Sequence, residues 1–155
     1  MTEWSPTQYL QFEKQRTQPA IDLAARVADR SVRTAVDVGC GPGNSTAVLR
    51  RVFPKASLLG VDLSPEMVEK AANRYPDIPF RVCDAAALSG QYDLVFSNAC
   101  LQWIPHHDSL IPKLMERLTD GGVLAVQMPM NEAEPLYRII REVTAEAKWG
   151  FQNVC

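Results

Sequence analysis

Residues 35–44 read Ala-Val-Asp-Val-Gly-Cys-Gly-Pro-Gly-Asn, and this stretch decides the fold. A short apolar run typical of a buried strand leads into a glycine-rich loop, and a helical pattern follows from Ser45 to Phe53 until Pro54 ends it. The rest of the chain repeats this alternation of strand and helix. Strands separated by helices imply right-handed crossovers and a parallel sheet. We therefore predict an α/β domain with a doubly wound parallel sheet of five strands and helices on both faces.

The other strands and helices are placed by the same patterns. We expect the five strands at residues 35–38, 58–61, 80–83, 92–97 and 123–128. Residues 120–122, Asp-Gly-Gly, are expected to form a turn before the last strand. Ser64-Pro65 begins a helix whose inward face carries Met67, Val68, Ala71 and Ala72. Further helices are expected at 108–118 and around 136–143.

The first 31 residues have helical patterns. Ser5-Pro6-Thr7-Gln8 is a capping box that begins one helix, and Pro19 is expected to begin a second. The chain is therefore divided into N-terminal helices at 1–31, a ligand-binding core at 32–147 and a tail at 148–155.

Composition and charge limit the partners. The chain has 155 residues, of which 46% are hydrophobic and 22% charged, as in one ordinary globular domain. A domain of this size buries roughly 70% of its extended surface, enough for a hydrophobic core. With 16 basic and 18 acidic residues the net charge is -2, so a nucleic-acid or membrane partner is not expected.

Location and metal content are predicted from the termini and the cysteines. The N-terminus lacks the basic and apolar regions of a secretory signal, and no apolar stretch is long enough to span a membrane. Cys40, Cys83, Cys100 and Cys155 are far apart and form no metal-binding or redox pair. We therefore expect a cytoplasmic protein with reduced thiols and no metal.

Acidic residues at the ends of the predicted strands indicate the ligand. Gly39 and Gly41 let a ligand approach the backbone, but Asp37 would repel a pyrophosphate, which disfavours a nicotinamide dinucleotide. Asp62 can accept hydrogen bonds from ribose hydroxyls, and Asp84 can accept one from an adenine amino group. A nucleoside with a cationic amino-acid tail satisfies these groups, and S-adenosylmethionine is such a molecule.

These motifs resemble those of the Rossmann-like S-adenosylmethionine-dependent methyltransferases. The similarity covers about residues 33–129 and includes 37–44, Asp62, Asp84-Ala85 and Asn98. It implies a cofactor site formed by Asp37, Gly39, Gly41, Asn44, Asp62, Leu63, Asp84, Ala85 and Asn98. Three alternatives remain: Asp37 could bind only its own loop, and Asp84 and Asn98 could be turn residues. The family core usually has seven strands and ends in an antiparallel hairpin, and we expect five strands here without that hairpin.

A narrower resemblance concerns residues 97–105 and 122–129, together with the N-terminal Trp4-Ser5-Pro6. They are similar to the trans-aconitate methyltransferase family, whereas residues 148–155 diverge from it. This implies O-methylation of a small polycarboxylate. A carboxylate is ionised at pH 7 and needs no general base, so we expect catalysis by proximity with no acid–base residue.

The acceptor side of the site is less well defined. The N-terminal helices are expected to form a lid in which Tyr9 and Arg16 bind a carboxylate. Trp103 could wall the methyl-transfer site or pack a helix, and His106 is the nearest base for a different acceptor or a surface residue. The alternatives are a methyltransferase for another small acceptor and a truncated domain that binds the donor without turnover.

Overall fold

The computed structural model describes residues 13–129, 134, 135, 139, 142 and 143, and it has the α/β architecture expected from the sequence. The strands are β1 (Thr34–Val38), β2 (Ser57–Asp62), β3 (Phe80–Val82), β4 (Tyr92–Asn98) and β5 (Leu118–Gln127). The helices are α1 (Glu13–Ala25), α2 (Asn44–Val52), α3 (Pro65–Arg74) and α4 (His107–Met115), and short 3₁₀ turns lie at Ala85–Ala87 and Leu101–Trp103.

The five strands form one sheet in the order β3-β2-β1-β4-β5. Each described pair of neighbouring strands is parallel. The strand order reverses between β1 and β4, and in open α/β sheets such a switch point opens a crevice at the carboxyl ends of the strands. The predicted doubly wound sheet is confirmed, and its crevice lies at the glycine-rich loop.

Helices cover both faces, because the two sides of the sheet bury separate apolar clusters. On β4, Leu94 and Phe96 belong to the cluster that contains residues of α1 and α2, while Val95 belongs to the opposite one with residues of α4. Successive strand residues point to opposite faces, so a continuous apolar run serves both clusters. This explains why the strand sequences lack polar alternation.

Helix α1 differs from the prediction around Pro19. The helix runs from Glu13 to Ala25 with Pro19 in its interior, so the expectation that Pro19 begins a helix was wrong. Ala20 and Ala24 are almost fully buried in the core cluster. This packing stabilises the helix although Pro19 has no backbone N–H to donate. The predicted capping box at 5–8 lies outside the described residues.

The expected turn at 120–122 is instead part of β5. Tyr92 pairs with Leu118 and Leu94 with Val123, so β5 accommodates extra residues in a bulge. Gly121 has φ +75°, a conformation that glycine adopts without strain. The Asp-Gly-Gly motif does mark a backbone irregularity, but the irregularity is a bulge within β5 and the predicted turn before the strand was wrong.

Two helix predictions have mixed outcomes. Ser64 caps α3 by accepting a hydrogen bond from the Met67 amide, as the Ser-Pro pattern predicts. Ala71 is buried on the inward face, but Ala72 is exposed, so that part of the prediction was wrong. Most of the helix expected around 136–143 lies outside the described residues.

No helix in the described part of the chain is long and apolar enough to cross a membrane.

Candidate functional site

A cavity of about 530 Å³ opens at the carboxyl ends of β1 and β2, beside the segment that follows β4. Among the predicted site residues, it is lined by Gly39, Gly41, Asp62, Leu63, Asp84, Ala85 and Trp103. Most of the remaining wall is apolar and includes Val38, Met67 and Ile104. The sheet thus brings together side chains from four separate segments at the edge where ligands bind in this architecture.

The glycine-rich loop forms one wall of this cavity. The amides of Gly39 and Cys40 both donate to the Val61 carbonyl, at 2.8 and 3.0 Å, which fixes the loop to the end of β2. Gly39 has φ +74°, and a Cβ there would collide with the Cys100 side chain. A side chain at this position is therefore excluded both by backbone conformation and by space.

Asp62 connects the same loop to helix α3. Its Oδ2 accepts a hydrogen bond of 2.9 Å from the Gly41 amide, and its Oδ1 accepts one of the same length from the Ser64 amide. Each carboxylate oxygen keeps further acceptor capacity. Asp62 can therefore hold the loop and also accept hydrogen bonds from a ligand in the cavity.

Asp84 and Ala85 follow β3 on the other side of the cavity. Asp84 is exposed, and its Oδ1 accepts from the Ala86 amide at 2.8 Å, as the N-cap of a 3₁₀ turn. Ala85 is buried and lines the wall. The turn-forming role weighed for Asp84 is thus present in the structure, together with its position at the cavity.

Asp37 does not line the cavity, unlike Val38 beside it. Its side chain is fully buried, and its Oδ2 accepts hydrogen bonds of 2.6 Å from Ser45 and Thr46 hydroxyls at the start of α2. Burial is the main cause that raises the pKa of Asp37 to about 6, and the neighbouring Asp62 carboxylate adds to it. The carboxylate therefore ties β1 to α2 beneath the glycine-rich loop.

Two predicted asparagines also lie away from the cavity lining. Asn44 is the first residue of α2, and its Oδ1 accepts from Arg74 Nη1 at 3.0 Å. Asn98 ends β4 opposite Gln127, and both side-chain oxygens are buried without a hydrogen-bond partner. The structure thus places Asn44 in a surface contact and Asn98 at the carboxyl end of β4, outside the cavity lining.

The candidate acceptor residues are distributed unevenly. Trp103 is one of the residues that line the cavity, and it is 82% exposed. His106 precedes α4 with φ +61° and is exposed outside the lining. Tyr9 lies outside the described residues, and Arg16 lies on α1 with a side chain that is not described.

Sequence reasoning missed the cysteines as parts of the cavity wall. Cys83 and Cys100 both line it, and Cys40 is buried beneath the loop. Burial, with the nearby Asp62 and Asp37 carboxylates, raises the pKa of Cys100 to about 11 and also raises that of Cys40. Both are thus neutral thiols at pH 7. Only their positions next to the strand ends could have indicated this placement.

The described residues contain no group of three or more histidine, cysteine or acidic side chains that could hold a metal ion. The groups available at the cavity are instead acceptor oxygens, apolar side chains and a loop without side chains at two glycines. This combination suits an organic ligand that carries hydroxyl and amino groups and positive charge. It fits a nucleoside with a cationic tail, in agreement with the expectation from the sequence.

The fold and this site together define a methyltransferase domain. The family model described as "Methyltransferase domain" matches residues 35–122, more than half of the chain, and the chain belongs to that family. The match begins in β1 and ends within β5, so it covers the whole glycine-rich loop and the cavity wall.

Curated relatives carry a more particular name. A trans-aconitate 2-methyltransferase from Methylobacterium radiotolerans is 48% identical over 97% of this chain and 58% of its own length. The enzyme of the same name from Variovorax paradoxus is 46% identical over 97% of this chain and 59% of its own length. The chain thus spans less than two thirds of the length of these relatives.

Solved structures agree on the fold. Streptomyces venezuelae DesVI superimposes with a TM-score of 0.67 at 25% identity, over 78% of this chain and 54% of that one. A SAM-bound amino pentose methyltransferase from Micromonospora echinaspora gives a TM-score of 0.67 at 21% identity, over 84% and 58% of the two chains. The sheet and crossovers are those of the methyltransferase fold.

Proposed function

We propose that this chain is the donor-binding part of an S-adenosylmethionine-dependent O-methyltransferase that esterifies a small polycarboxylate such as trans-aconitate. The observation that carries the proposal is the cavity at the glycine-rich loop, where the Asp62 carboxylate faces a ligand-sized space. The names of the relatives, at 48% and 46% identity, support the choice of acceptor.

Different residues of the cavity would contact different parts of the donor. Asp62 would accept hydrogen bonds from the ribose hydroxyls, and Asp84 one from the adenine amino group, with Leu63 and Ala85 against the apolar parts of the nucleoside. Gly39 and Gly41 would lie along the amino-acid tail, where a side chain would prevent close approach. When bound, S-adenosylmethionine supplies a methyl group that its sulfonium charge activates for displacement.

No general base is required by this proposal. A carboxylate acceptor is already ionised at pH 7, so the chain has to align the acceptor and exclude water from it. The apolar wall that includes Val38, Met67, Ile104 and Trp103 would provide this dry surface. Tyr9 and Arg16 in the N-terminal helices, with Trp103 and His106, remain the proposed acceptor and lid residues.

The boundaries and location follow the same proposal. Residues 32–147 would form the methyltransferase core, 1–31 a helical lid and 148–155 a divergent tail. The described cysteines are free thiols, which supports the cytoplasmic location expected from the sequence.

One observation favours a second candidate, a donor-binding domain without turnover. In the described residues β5 pairs only with β4, so its other edge has no partner strand, and the relatives are longer than this chain. In that case, the acceptor pocket would depend on the part of the relatives that has no counterpart in this chain. Donor binding and ester formation are therefore separate properties to measure.

Calorimetric titration with S-adenosylmethionine tests donor binding. Asp62→Asn should weaken it about tenfold or more, because a charged acceptor is lost. The matched control Asp77→Ala removes an exposed carboxylate outside the cavity lining and should leave affinity unchanged. Equal affinities for the wild type and Asp62→Asn would contradict the assigned site.

Incubation with methyl-labelled donor and trans-aconitate tests the acceptor. A base-labile methyl ester above background is expected from the proposed enzyme. Donor binding without any ester, on trans-aconitate or a panel of other small carboxylates, would select the second candidate.

A further inference from the structure

Three side-chain amides at and just after the ends of β4 and β5 have polar atoms that the fold does not satisfy. The side-chain oxygens of Asn98, Gln102 and Gln127 are buried and have no hydrogen-bond partner among the described residues. A buried acceptor without a partner costs free energy, and such groups are few in native proteins. Three of them near the carboxyl edge of the sheet, where ligands bind in this architecture, point to a ligand.

Asn98 and Gln127 lie side by side on neighbouring strands. They are register partners at the carboxyl ends of β4 and β5. Successive strand residues alternate between the two faces of a sheet, so residues two apart share a face. Phe96 and Ala125, two residues earlier on each strand, both belong to the apolar cluster that contains residues of α1 and α2. The two carboxamides therefore lie on the face of the sheet that these helices cover.

Ala99 connects this pair to the cavity. Its amide donates to the Gln127 carbonyl at 2.9 Å, and its carbonyl accepts from Gln102 Nε2 at 2.9 Å. Ala99 has φ +52°, which is uncommon for a residue with a side chain and is often found at functional sites. Ala99 also lines the cavity. Asn98, its neighbour in the chain, is therefore one residue from the cavity wall.

The beginning of α1 is directed toward the same end of the sheet. Arg30 and Ser31, which follow α1, share a second cavity with Asp93 at the amino end of β4. Helix α1 packs against β4 and β5, so its first residues are directed toward the carboxyl ends of these strands. Tyr9 and Arg16, the acceptor residues proposed above, belong to the sequence before α1 and to its first turns.

The chemistry of the two carboxamides suits an anion. The described residues that line the cavity include the carboxylates Asp62 and Asp84 and no lysine or arginine, so they offer no cation to an anionic acceptor. A carboxamide offers neutral N–H donors, and a half-turn about its last bond exchanges the NH₂ group and the oxygen. In the described part of the chain, no hydrogen bond fixes the orientation of Asn98 or Gln127. Both can therefore turn N–H donors toward one carboxylate.

We propose that the Asn98 and Gln127 carboxamides bind a carboxylate of the acceptor other than the one that is methylated, and that they thereby select polycarboxylates over monocarboxylates. This inference rests on the proposed function and names specificity-determining residues for it. The bound carboxylate is ionised at pH 7, so each hydrogen bond to it is charge-assisted. Anchoring one carboxylate beside Ala99 leaves another to approach the donor in the cavity.

The test compares trans-aconitate with crotonate, which has the same propene skeleton and a single carboxylate. Calorimetry on the whole 155-residue chain, saturated with the demethylated product S-adenosylhomocysteine, measures acceptor binding without turnover. Initial rates of ester formation with S-adenosylmethionine give KM and kcat for the same acceptors. The wild type should bind trans-aconitate about tenfold or more tightly than crotonate, because hydrogen bonds to a charged group are the strong ones.

Variants separate this role from a structural one. Gln127→Met keeps the length of the side chain without its polar atoms, and Asn98→Leu does the same at its neighbour. Each should raise Kd and KM for trans-aconitate about tenfold and leave kcat, donor affinity and crotonate affinity within about twofold. Neither should lower the midpoint of urea unfolding, because each removes a buried oxygen that has no partner.

Gln91→Met is the matched control. Gln91 is exposed just before β4, at the opposite end of the sheet, and its Nε2 donates to the Glu116 carbonyl at 2.9 Å. The same substitution there should leave the affinity for both acceptors unchanged.

The outcomes discriminate between the two proposals. Unchanged trans-aconitate affinity in Gln127→Met and Asn98→Leu, or equal losses for trans-aconitate and crotonate, would overturn this inference, and ester formation by the wild type would leave the proposed function standing. If Gln127→Met does not fold, unchanged affinity in Asn98→Leu overturns it equally. A wild-type chain that binds S-adenosylhomocysteine but not trans-aconitate overturns both this inference and the proposed acceptor.

Discussion

The two ends of the sheet hold their carboxylates in different environments, Asp93 partly buried and Asp37 fully buried. At the amino end of β4, Asp93 accepts from the backbone amides of Arg33 and Thr34 and from the Thr119 hydroxyl, at 2.8 to 3.1 Å. These hydrogen bonds, that of Thr119 first, hold the pKa of Asp93 below its usual range. At the carboxyl end of β1, Asp37 has one oxygen without a partner and a pKa raised to about 6.

The two carboxylates therefore differ in how far the fold stabilises their ionised forms. Asp93 joins three segments in a saturated network, so its ionised form is stabilised by the fold itself. Burial raises the pKa of Asp37, so its ionised form is less favourable in the folded protein, a pattern that is common close to functional sites. The following substitutions test the two ends of the sheet separately.

The largest effect is expected at a pair of glycines with almost the same backbone conformation. Gly39 at the cavity and Gly121 at the opposite end have φ +74° and +75°, but a Cβ would collide with Cys100 at the first and meet nothing within 4 Å at the second. Gly39→Ala should lower the free energy of unfolding by more than about 4 kcal/mol, and Gly121→Ala by only about 1 kcal/mol. Urea unfolding of both variants measures this; equal losses would show that crowding at Gly39 is relieved.

The next effect concerns the saturated end. Asp93→Ala removes the acceptor of two backbone amides and of the Thr34 and Thr119 hydroxyls, and should lower the free energy of unfolding by about 2–3 kcal/mol. Because the pKa of Asp93 is lowered on folding, its contribution is present above the unfolded value near 4 and is lost as pH falls below it.

Arg33→Ala is the control for this prediction. The Arg33 side chain is 86% exposed and its Nε lies 3.8 Å from Asp93 Oδ2, so its removal should change stability by less than about 0.5 kcal/mol. A loss as large as that of Asp93→Ala would mean that the ion pair, and not the amide and hydroxyl donors, stabilises this end.

Apart from the control variants, the smallest effect is expected at Asp37, and it has the opposite sign. The pKa of Asp37 is raised on folding, so its ionisation destabilises the native state as pH rises from about 4 through 6. Asp37→Asn should therefore stabilise the ligand-free protein by about 1–2 kcal/mol at pH 7.5, with the new amide nitrogen unpaired at the position of Oδ1. The gain relative to wild type should shrink toward pH 5 in thermal or urea unfolding; a loss at pH 7.5 would contradict it.

Local patterns placed most of the cavity because its parts lie at strand ends. Gly39, Gly41, Asp62, Asp84 and Ala85 each follow a recognisable apolar run, and the carboxyl ends of parallel strands meet at one edge. The bulge at Gly121 and the course of α1 through Pro19 were not predictable in this way. Both depend on partners that are distant in sequence, Tyr92 for the bulge and the sheet for α1.

The sequence by itself determined the alternation of strand and helix, the glycine-rich loop and the acids beside it, because periodicity and backbone freedom are local properties. Only the tertiary structure decided that Val38 faces the cavity while Asp37 points into the core, where the first hydroxyls of α2 meet it. Adjacent strand residues point to opposite faces, so their surroundings depend on which helices and loops cover each face. The sequence therefore shows Asp37 only as an acidic residue after a strand, whereas its burial in the folded chain raises its pKa to about 6.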